Sequence, residues 1–310
     1  MFLILMIHDN IKLSKSRMLR KKLESNSIVK VGGAFDAMSA KLVETSGFDA
    51  VWAGSFAISA THALPDASIL TMTEFFDAAS SMASTCEIPI IADCDTGYGG
   101  PSNVTHMVKK YESAGISSIC IEDKTFPKQN SLLENGKNDL LSEKEFVAKI
   151  LSAKQARNDK DFLIIARVEA LISGAGMNEA LKRATAYENA GADAILIHSK
   201  QKTPDEIFEF ADSWKGSVPI VVVPTTYDSV KISELSLHNV KMIIFANQTL
   251  RASHLAMTKL LREMVDTEHI STIEQEMSTM QDIFNLQEMY DIKSKEKKLE
   301  EELKKLGYIN

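Results

Sequence analysis

From residue 27 to about 263 the chain repeats one alternation. A short apolar run is followed by a polar break and then by a longer stretch with apolar residues at helical spacing. The runs at 29–34, 50–55, 89–93, 118–122, 162–168, 194–198, 219–224 and 242–246 are apolar on both faces. That is the pattern of parallel strands buried between layers. The stretches at 37–46, 73–84, 103–114, 143–158, 178–190, 204–214 and 229–238 read as amphipathic helices. Gly47, Gly115 and Gly191 fall just after three of them, where a left-handed cap ends a helix. About eight strand–helix units in this order predict an α/β fold, a (β/α)8 barrel. No Gly-x-Gly-x-x-Gly opens a helix after the first strand, which removes the usual mark of a dinucleotide fold.

Beyond 263 the pattern changes to a Met- and Gln-rich helical stretch at 271–289. A run of mixed Lys and Glu at 293–303 follows, and its sparse leucines read as a solvated helix. The expected organisation is an N-terminal extension (1–26), a catalytic barrel (27–263) and a C-terminal helical extension (264–310).

Composition narrows the partners. The 310 residues are 45% hydrophobic and 25% charged, ordinary for a chain with a large core. The net charge of −7 argues against nucleic-acid binding and leaves an anionic substrate open. Cys86, Cys94 and Cys120 lie in or beside apolar runs without metal-finger spacing, as buried reduced thiols do, and a cytoplasmic location is expected. The opening run from Met1 to Ile7 lacks a basic leader and a small-residue cleavage site, with Met6 and Met18 as alternative starts. No apolar run approaches the roughly 20 residues of a membrane span.

In a barrel the chemistry belongs at the carboxyl ends of the strands, and here those ends are polar. The third strand runs into Asp93-Cys94-Asp95-Thr96-Gly97-Tyr98-Gly99. Read as strand, Asp93 and Asp95 share one face, and two carboxylates there point to a divalent cation. The same acids could instead cap a helix or solvate a turn. The fourth strand ends in Glu122-Asp123-Lys124, the fifth in Arg167-Val168-Glu169 and the sixth in His198-Ser199. Two long loops complete the set: 61–67, which holds Asp66, and 125–139, with Lys, Asn, Ser and Gly suited to a mobile lid over an anion. A Schiff-base aldolase would use a strand-end lysine such as Lys124, but the acids speak for metal chemistry.

The ordered set Trp52, Asp66, Asp93-x-Asp95, Glu122-Asp123-Lys124, Lys128-x-Asn130-Ser131, Arg167-x-Glu169 and His198-Ser199 resembles the phosphoenolpyruvate mutase family. That family belongs to the isocitrate lyase superfamily of Mg²⁺-dependent barrels, and the resemblance runs from about Leu19 to Leu286. It implies Asp93 as direct ligand of Mg²⁺ (or Mn²⁺ or Co²⁺), with Asp95 and Glu122 holding the ion's waters. It implies Arg167 and His198 as the phosphoryl clamp and Asp66 beside the migrating phosphoryl group. Lys128, Asn130, Ser131 and Leu132 match the gating loop. Trp52 frames the pocket, and amides around Gly54 and Ser55 bind the substrate carboxylate. Family members often read Trp-x-Ser-Gly, whereas this chain reads Trp52-Ala53-Gly54-Ser55.

The implied reaction interconverts phosphoenolpyruvate and 3-phosphonopyruvate in a homotetramer with exchanged C-terminal helices. Segments 63–67 and 197–206 look equally like phosphonopyruvate hydrolase, which has Thr where this loop has Asn130. The lyase branch carries a Lys-Lys-Cys-Gly-His type loop, and this chain has Lys124-Thr125-Phe126-Pro127-Lys128. Oxaloacetate hydrolysis, which does not need that Cys as much, and a barrel that binds an oxo acid without turnover complete the alternatives.

Overall fold

A computed structural model describes residues 13–136, 138–274 and 277–309. The opening apolar run lies outside them. Eight parallel strands close a barrel in sequence order: β1 (Val29–Ala34), β2 (Ala50–Ala53), β3 (Ile90–Asp93), β4 (Ser118–Glu122), β5 (Leu163–Val168), β6 (Ala194–Ile197), β7 (Ile220–Val222) and β8 (Val240–Phe245). β8 closes onto β1 through the pairing of Val31 with Ile244. The (β/α)8 expectation holds.

Strand pleating divides the apolar residues into two clusters. One fills the barrel and contains Val29, Val31, Trp52, Ile91, Cys120, Ile165, Leu196, Met242 and Ile244. The other lies between strands and helices, with Val51, Ile90, Ile119, Ile164, Ile195, Val222 and Ile243 facing outward. Residues two apart therefore share a cluster and neighbours do not, as a period of two requires, save at the start of β8, where Val240 and Met242 fall in different clusters beside a register shift in β7.

Helix α1 (Lys15–Glu24) places Leu19 and Leu23 in the interior cluster. Its basic residues reach acids that precede strands: Arg17 pairs with Asp161, Arg20 with Asp193 and Lys22 with Asp49. α1 thus plugs the amino end of the barrel and leaves the carboxyl end to the site.

The remaining helices of the first unit are α2 (Ala37–Thr45), α3 (Ser55–Thr61), α4 (Met72–Thr85), α5 (Pro101–Ser113), α6 (Glu143–Ala156), α7 (Ala170–Ser173), α8 (Met177–Ala190), α9 (Asp205–Ser213) and α10 (Ile232–Leu237). Three boundaries differ from the expected ones for physical reasons. β2 stops at Ala53 because Gly54 caps α3, an unexpected helix that buries Ala57 and Ile58. β7 is shorter than 219–224 because prolines at both limits supply no ladder donor. β8 starts two residues earlier than 242, at Val240, although Lys241 interrupts the apolar run.

The chain divides into two compact units, one through Leu250 and one from Arg251. α11 (Gln248–Asp266) runs into the second, which also holds α12 (Ile270–Glu274), α13 (Met280–Leu286) and α14 (Met289–Lys305). α14 buries none of its residues, as its Lys/Glu pattern anticipates. Among the described residues no helix is long and apolar enough to cross a membrane.

Candidate active site

The polar strand ends meet at one rim of the barrel. Asp93 closes β3, and Glu122 closes β4 in register with Arg167 of β5. Asp95 reaches the rim by a turn, not by strand pleating as the two-residue spacing predicts. β3 has ended at Asp93, and Asp95 itself takes a left-handed backbone with φ of 48°. Short acidic side chains tolerate that conformation.

Around these acids the geometry is crowded. Ser55 donates its hydroxyl to Asp93 Oδ2 at 2.9 Å, and its amide lies 3.4 Å from the same atom. Lys128 descends from the 125–139 loop, its ammonium 2.7 Å from Asp95 Oδ1 and 2.9 Å from Asp66 Oδ1. Neither carboxylate oxygen has an aligned hydrogen bond. Glu122 Oε1 is buried with no hydrogen-bond partner and lies 4.0 Å from Lys124 Nζ, while Arg167 Nε is 3.3 Å from Oε2 of the same carboxylate.

Charge follows from this crowding. Burial, helped by Asp93, Asp66 and Glu122 and opposed by Lys128, pushes the Asp95 carboxyl up to about 7. Burial also raises Asp66, but Lys128 and the Asn130 hydrogen bond outweigh it and hold that carboxyl below its usual range. Burial disfavours the Lys128 charge, yet the surrounding acids hold the ammonium well above its ordinary value. Among the described residues no three His, Cys, Asp or Glu side chains converge to hold a metal directly. The hard-oxygen cluster with its orphaned buried atoms nevertheless fits a hydrated Mg²⁺.

Beside Glu122, whose Oε2 lies 3.3 Å from its Nε, Arg167 pairs with His198. Arg167 donates through Nε to Glu169 Oε1 at 2.5 Å and through Nη2 to Ser131 Oγ at 3.1 Å. His198 Nδ1 is 2.9 Å from both Arg167 Nη2 and Glu169 Oε1. Burial and Arg167 lower the imidazole's basicity against the pull of Glu169. Nδ1 donates to Glu169 when it carries the ring proton and accepts from Arg167 when Nε2 carries it.

The 125–139 loop lies over this rim. Lys128 and Ser131 are buried, while Phe126, Leu132 and Leu133 face out. Asn130 Nδ2 donates to Asp66 Oδ2 at 2.8 Å, and the Lys128 amide donates to Ser68 Oγ at 3.0 Å. Exposed Leu132 touches this network through its amide, which donates to Asn130 Oδ1. Trp52 is buried inside the barrel, and Gly54 has no room for a side chain: a Cβ there would lie 2.9 Å from the Trp52 ring.

The family model for phosphoenolpyruvate phosphomutase matches residues 19–265. The chain belongs to this family. It is 44% identical to phosphonopyruvate hydrolase of Variovorax sp. (strain Pal2), over 89% of this chain and 95% of that protein. It superposes on a crystal structure of phosphoenolpyruvate phosphomutase from Streptomyces platensis subsp. rosaceus with a TM-score of 0.89 and 43% identity, covering 91% of this chain and 98% of that one. A phosphonopyruvate hydrolase complex with oxalate and Mg²⁺ gives 0.86 and 41%, covering 91% and 98%. Identities this close decide the family and the phosphomutase-type barrel. They do not separate mutase from hydrolase.

Within this family frame, two residues that the sequence leaves without a role stand out: Lys124 and Glu169. Both are buried. Lys124 turns its ammonium to the loop, donating to Gln129 O, Ser131 Oγ and Asn138 Oδ1 at 2.6, 2.9 and 3.2 Å. Glu169 gathers Arg167, His198 and Ser131 around one carboxylate. Asp123 secures the Glu169 backbone by accepting from its amide, and it also accepts from Tyr187 and Arg183 of α8. Their strand-end positions were the available signal, since each adjoins a residue with an expected role.

Proposed function

We propose that this chain is a phosphoenolpyruvate mutase, an isomerase that interconverts phosphoenolpyruvate and 3-phosphonopyruvate. The observation that carries the reading is the lid. Asn130 and Lys128 of the 125–139 loop both engage Asp66 beneath it. A loop seated on the carboxylate next to the migrating group excludes water, and exclusion of water favours transfer over hydrolysis.

Asp93 would hold Mg²⁺ (with Mn²⁺ or Co²⁺ able to replace it), and Asp95 and Glu122 would hold its waters. When bound, the cation offsets the acid cluster and draws negative charge from the substrate's carboxylate and 2-oxo oxygen.

The chain's own residues do the rest. Amides at Gly54 and Ser55 orient the substrate carboxylate, with Trp52 as the wall of the pocket. Ser55 also fixes the Asp93 carboxylate through its hydroxyl. Arg167 presents a planar fork to the phosphoryl oxygens, and His198 adds a second donor. The P–O bond of phosphoenolpyruvate breaks and its electron pair stays on the enolate oxygen. Asp66, kept ionised by Lys128, accepts the phosphoryl group or guides a metaphosphate-like species. The C3 carbon of the enolate then attacks phosphorus as the 2-oxo group re-forms. Balance is complete without water.

Phosphonopyruvate hydrolysis is the second reading, favoured by the 44% identity to the Variovorax hydrolase. It would use the same grip on the substrate, with water in place of the enolate carbon. The working assembly we propose is a cytoplasmic homotetramer with exchanged C-terminal helices. ³¹P NMR of the protein with phosphonopyruvate and Mg²⁺, beside an EDTA control, tests the function. Appearance of phosphoenolpyruvate is the expected result. Inorganic phosphate with pyruvate would make the protein the hydrolase, and no change in the phosphonate signal would turn attention to oxaloacetate and other 2-oxo acids.

A further inference from the structure

Lys124 and Glu169 stand at the ends of neighbouring strands, both fully enclosed, and form a long ion pair without a direct hydrogen bond. Lys124 Nζ is 3.8 Å from Glu169 Oε2. The Ser131 hydroxyl of the loop sits between them, donating to Glu169 Oε2 at 2.5 Å and accepting from Lys124 at 2.9 Å. A buried cation and a buried anion are thus joined through a group that only the loop supplies. Lys124 spends its two remaining donors on the same loop, at Gln129 O and Asn138 Oδ1. If the loop lifts, Lys124 loses all three hydrogen bonds at once and keeps only the longer contacts to Glu169 and Glu122, which leaves a buried ammonium's donors unsatisfied.

The anion side reaches the chemistry. Glu169 Oε1 receives Arg167 Nε at 2.5 Å and lies 2.9 Å from His198 Nδ1. Seating of the loop and aim of the Arg167–His198 pair therefore share one carboxylate, one oxygen facing each. Asp123 and Arg183 brace that carboxylate from behind, by way of the Glu169 amide and a 3.0 Å ion pair.

We infer that Lys124 and Glu169 form a latch: positioning residues that hold the 125–139 loop shut through Ser131 and tie its closure to the side chains that grip the phosphoryl group. Neither residue need touch the reacting atoms. Their effect falls on how often water reaches the site, and so on the choice between transfer to carbon and transfer to water. Lys124 is thereby engaged as an ammonium and is not set up for a Schiff base.

The inference rests on the proposed reaction for its chemical meaning, but its first test needs no turnover. Limited trypsin digestion of the full-length protein, followed by mass spectrometry of the Lys128–Gln129 cleavage, reports loop opening directly. Lys128 is buried in the closed loop, so the wild-type bond is protected. In Lys124→Met, cleavage accelerates at least about tenfold, the loss expected when charge-assisted hydrogen bonds are removed from a locally opening segment. Ser131→Ala, which leaves the strand ends untouched, also speeds cleavage and guards against a Lys124→Met that fails to fold.

The second readout is product. With phosphonopyruvate and Mg²⁺, both variants release a larger fraction of the consumed substrate as inorganic phosphate than the wild type does. Glu169→Gln raises KM and lowers kcat together, because the phosphoryl grip is misaimed. Unchanged protection at Lys128 in both loop-seat variants would overturn the latch. So would lower thermal stability with an unchanged phosphate fraction in a protein that otherwise forms phosphoenolpyruvate. A wild type that does not turn over phosphonopyruvate would sink the proposed reaction alone, since the digestion result stands without it.

Discussion

At the scale of single residues the site is an exercise in balancing buried charge. Asp66 is held ionised by a lysine from another loop, whereas Asp95, deeper and closer to other acids, is pushed toward neutrality. Such unlike environments for like groups are what assign them different work. In the proposed mechanism Asp66 is the carboxylate offered to the phosphoryl group. Replacing it with Ala should reduce turnover of phosphonopyruvate by at least about a hundredfold, the lower end of a positioned catalytic group's contribution. The fold should survive, because Asp66 lies in a loop outside the strands and helices. Near-native turnover in Asp66→Ala, with an unchanged circular dichroism spectrum, would remove it from the mechanism.

Much of this was legible in advance, because ordered acids, Arg and His at strand ends have few other uses. What the sequence withheld was three-dimensional: that Lys128 reaches both Asp66 and Asp95, that Ser55 turns to Asp93, and that Glu169 draws His198 and Ser131 to one carboxylate. Those contacts join residues far apart in the chain, and no periodicity encodes them.

At the scale of elements, the strands and helices followed from alternation, and the deviations have local causes. Prolines trimmed β7, and a glycine cap started α3 directly after β2. The turn after β3 was the instructive failure. The two-residue spacing of Asp93 and Asp95 reads as a shared strand face, but a left-handed residue brings the second acid round instead. In the proposed reaction the 125–139 loop is the element on which specificity depends. Asn130 holds it by two bonds, donating to Asp66 Oδ2 and accepting from the Leu132 amide. Thr at that position is shorter by one atom and has no amide to offer. Asn130→Thr should therefore slow formation of phosphoenolpyruvate from phosphonopyruvate by about tenfold, the equivalent of one or two lost hydrogen bonds to a charged group. The phosphate yield should rise with it. A coupled assay for both products checks this, and unchanged yields would strip the loop sequence of its diagnostic value.

At the scale of the whole molecule, α1 closes the amino end of the barrel and the loops serve the other. Beyond the barrel, α11 raises a separate question. It buries none of its residues, although Met257, Leu261 and Met264 repeat at the spacing of one helical face. These three are 58%, 60% and 50% exposed, and Leu255 and Val265 beside them are exposed further. Among the described residues this amphipathic helix has an apolar stripe with no cover, and stripes of this kind mark contacts between chains. The proposed tetramer supplies that cover by exchanging the C-terminal helices, and α14, with its mixed Lys and Glu and no buried residue, can remain in solvent. Light scattering at micromolar concentration should return four times the 34.3 kDa chain mass. Leu261→Glu, which sets a charge in the middle of the stripe, should break the assembly while the barrel's own core, built from other residues, stays folded. A monomeric wild type would refute the exchange. A tetramer unmoved by Leu261→Glu would place the interface elsewhere on the molecule.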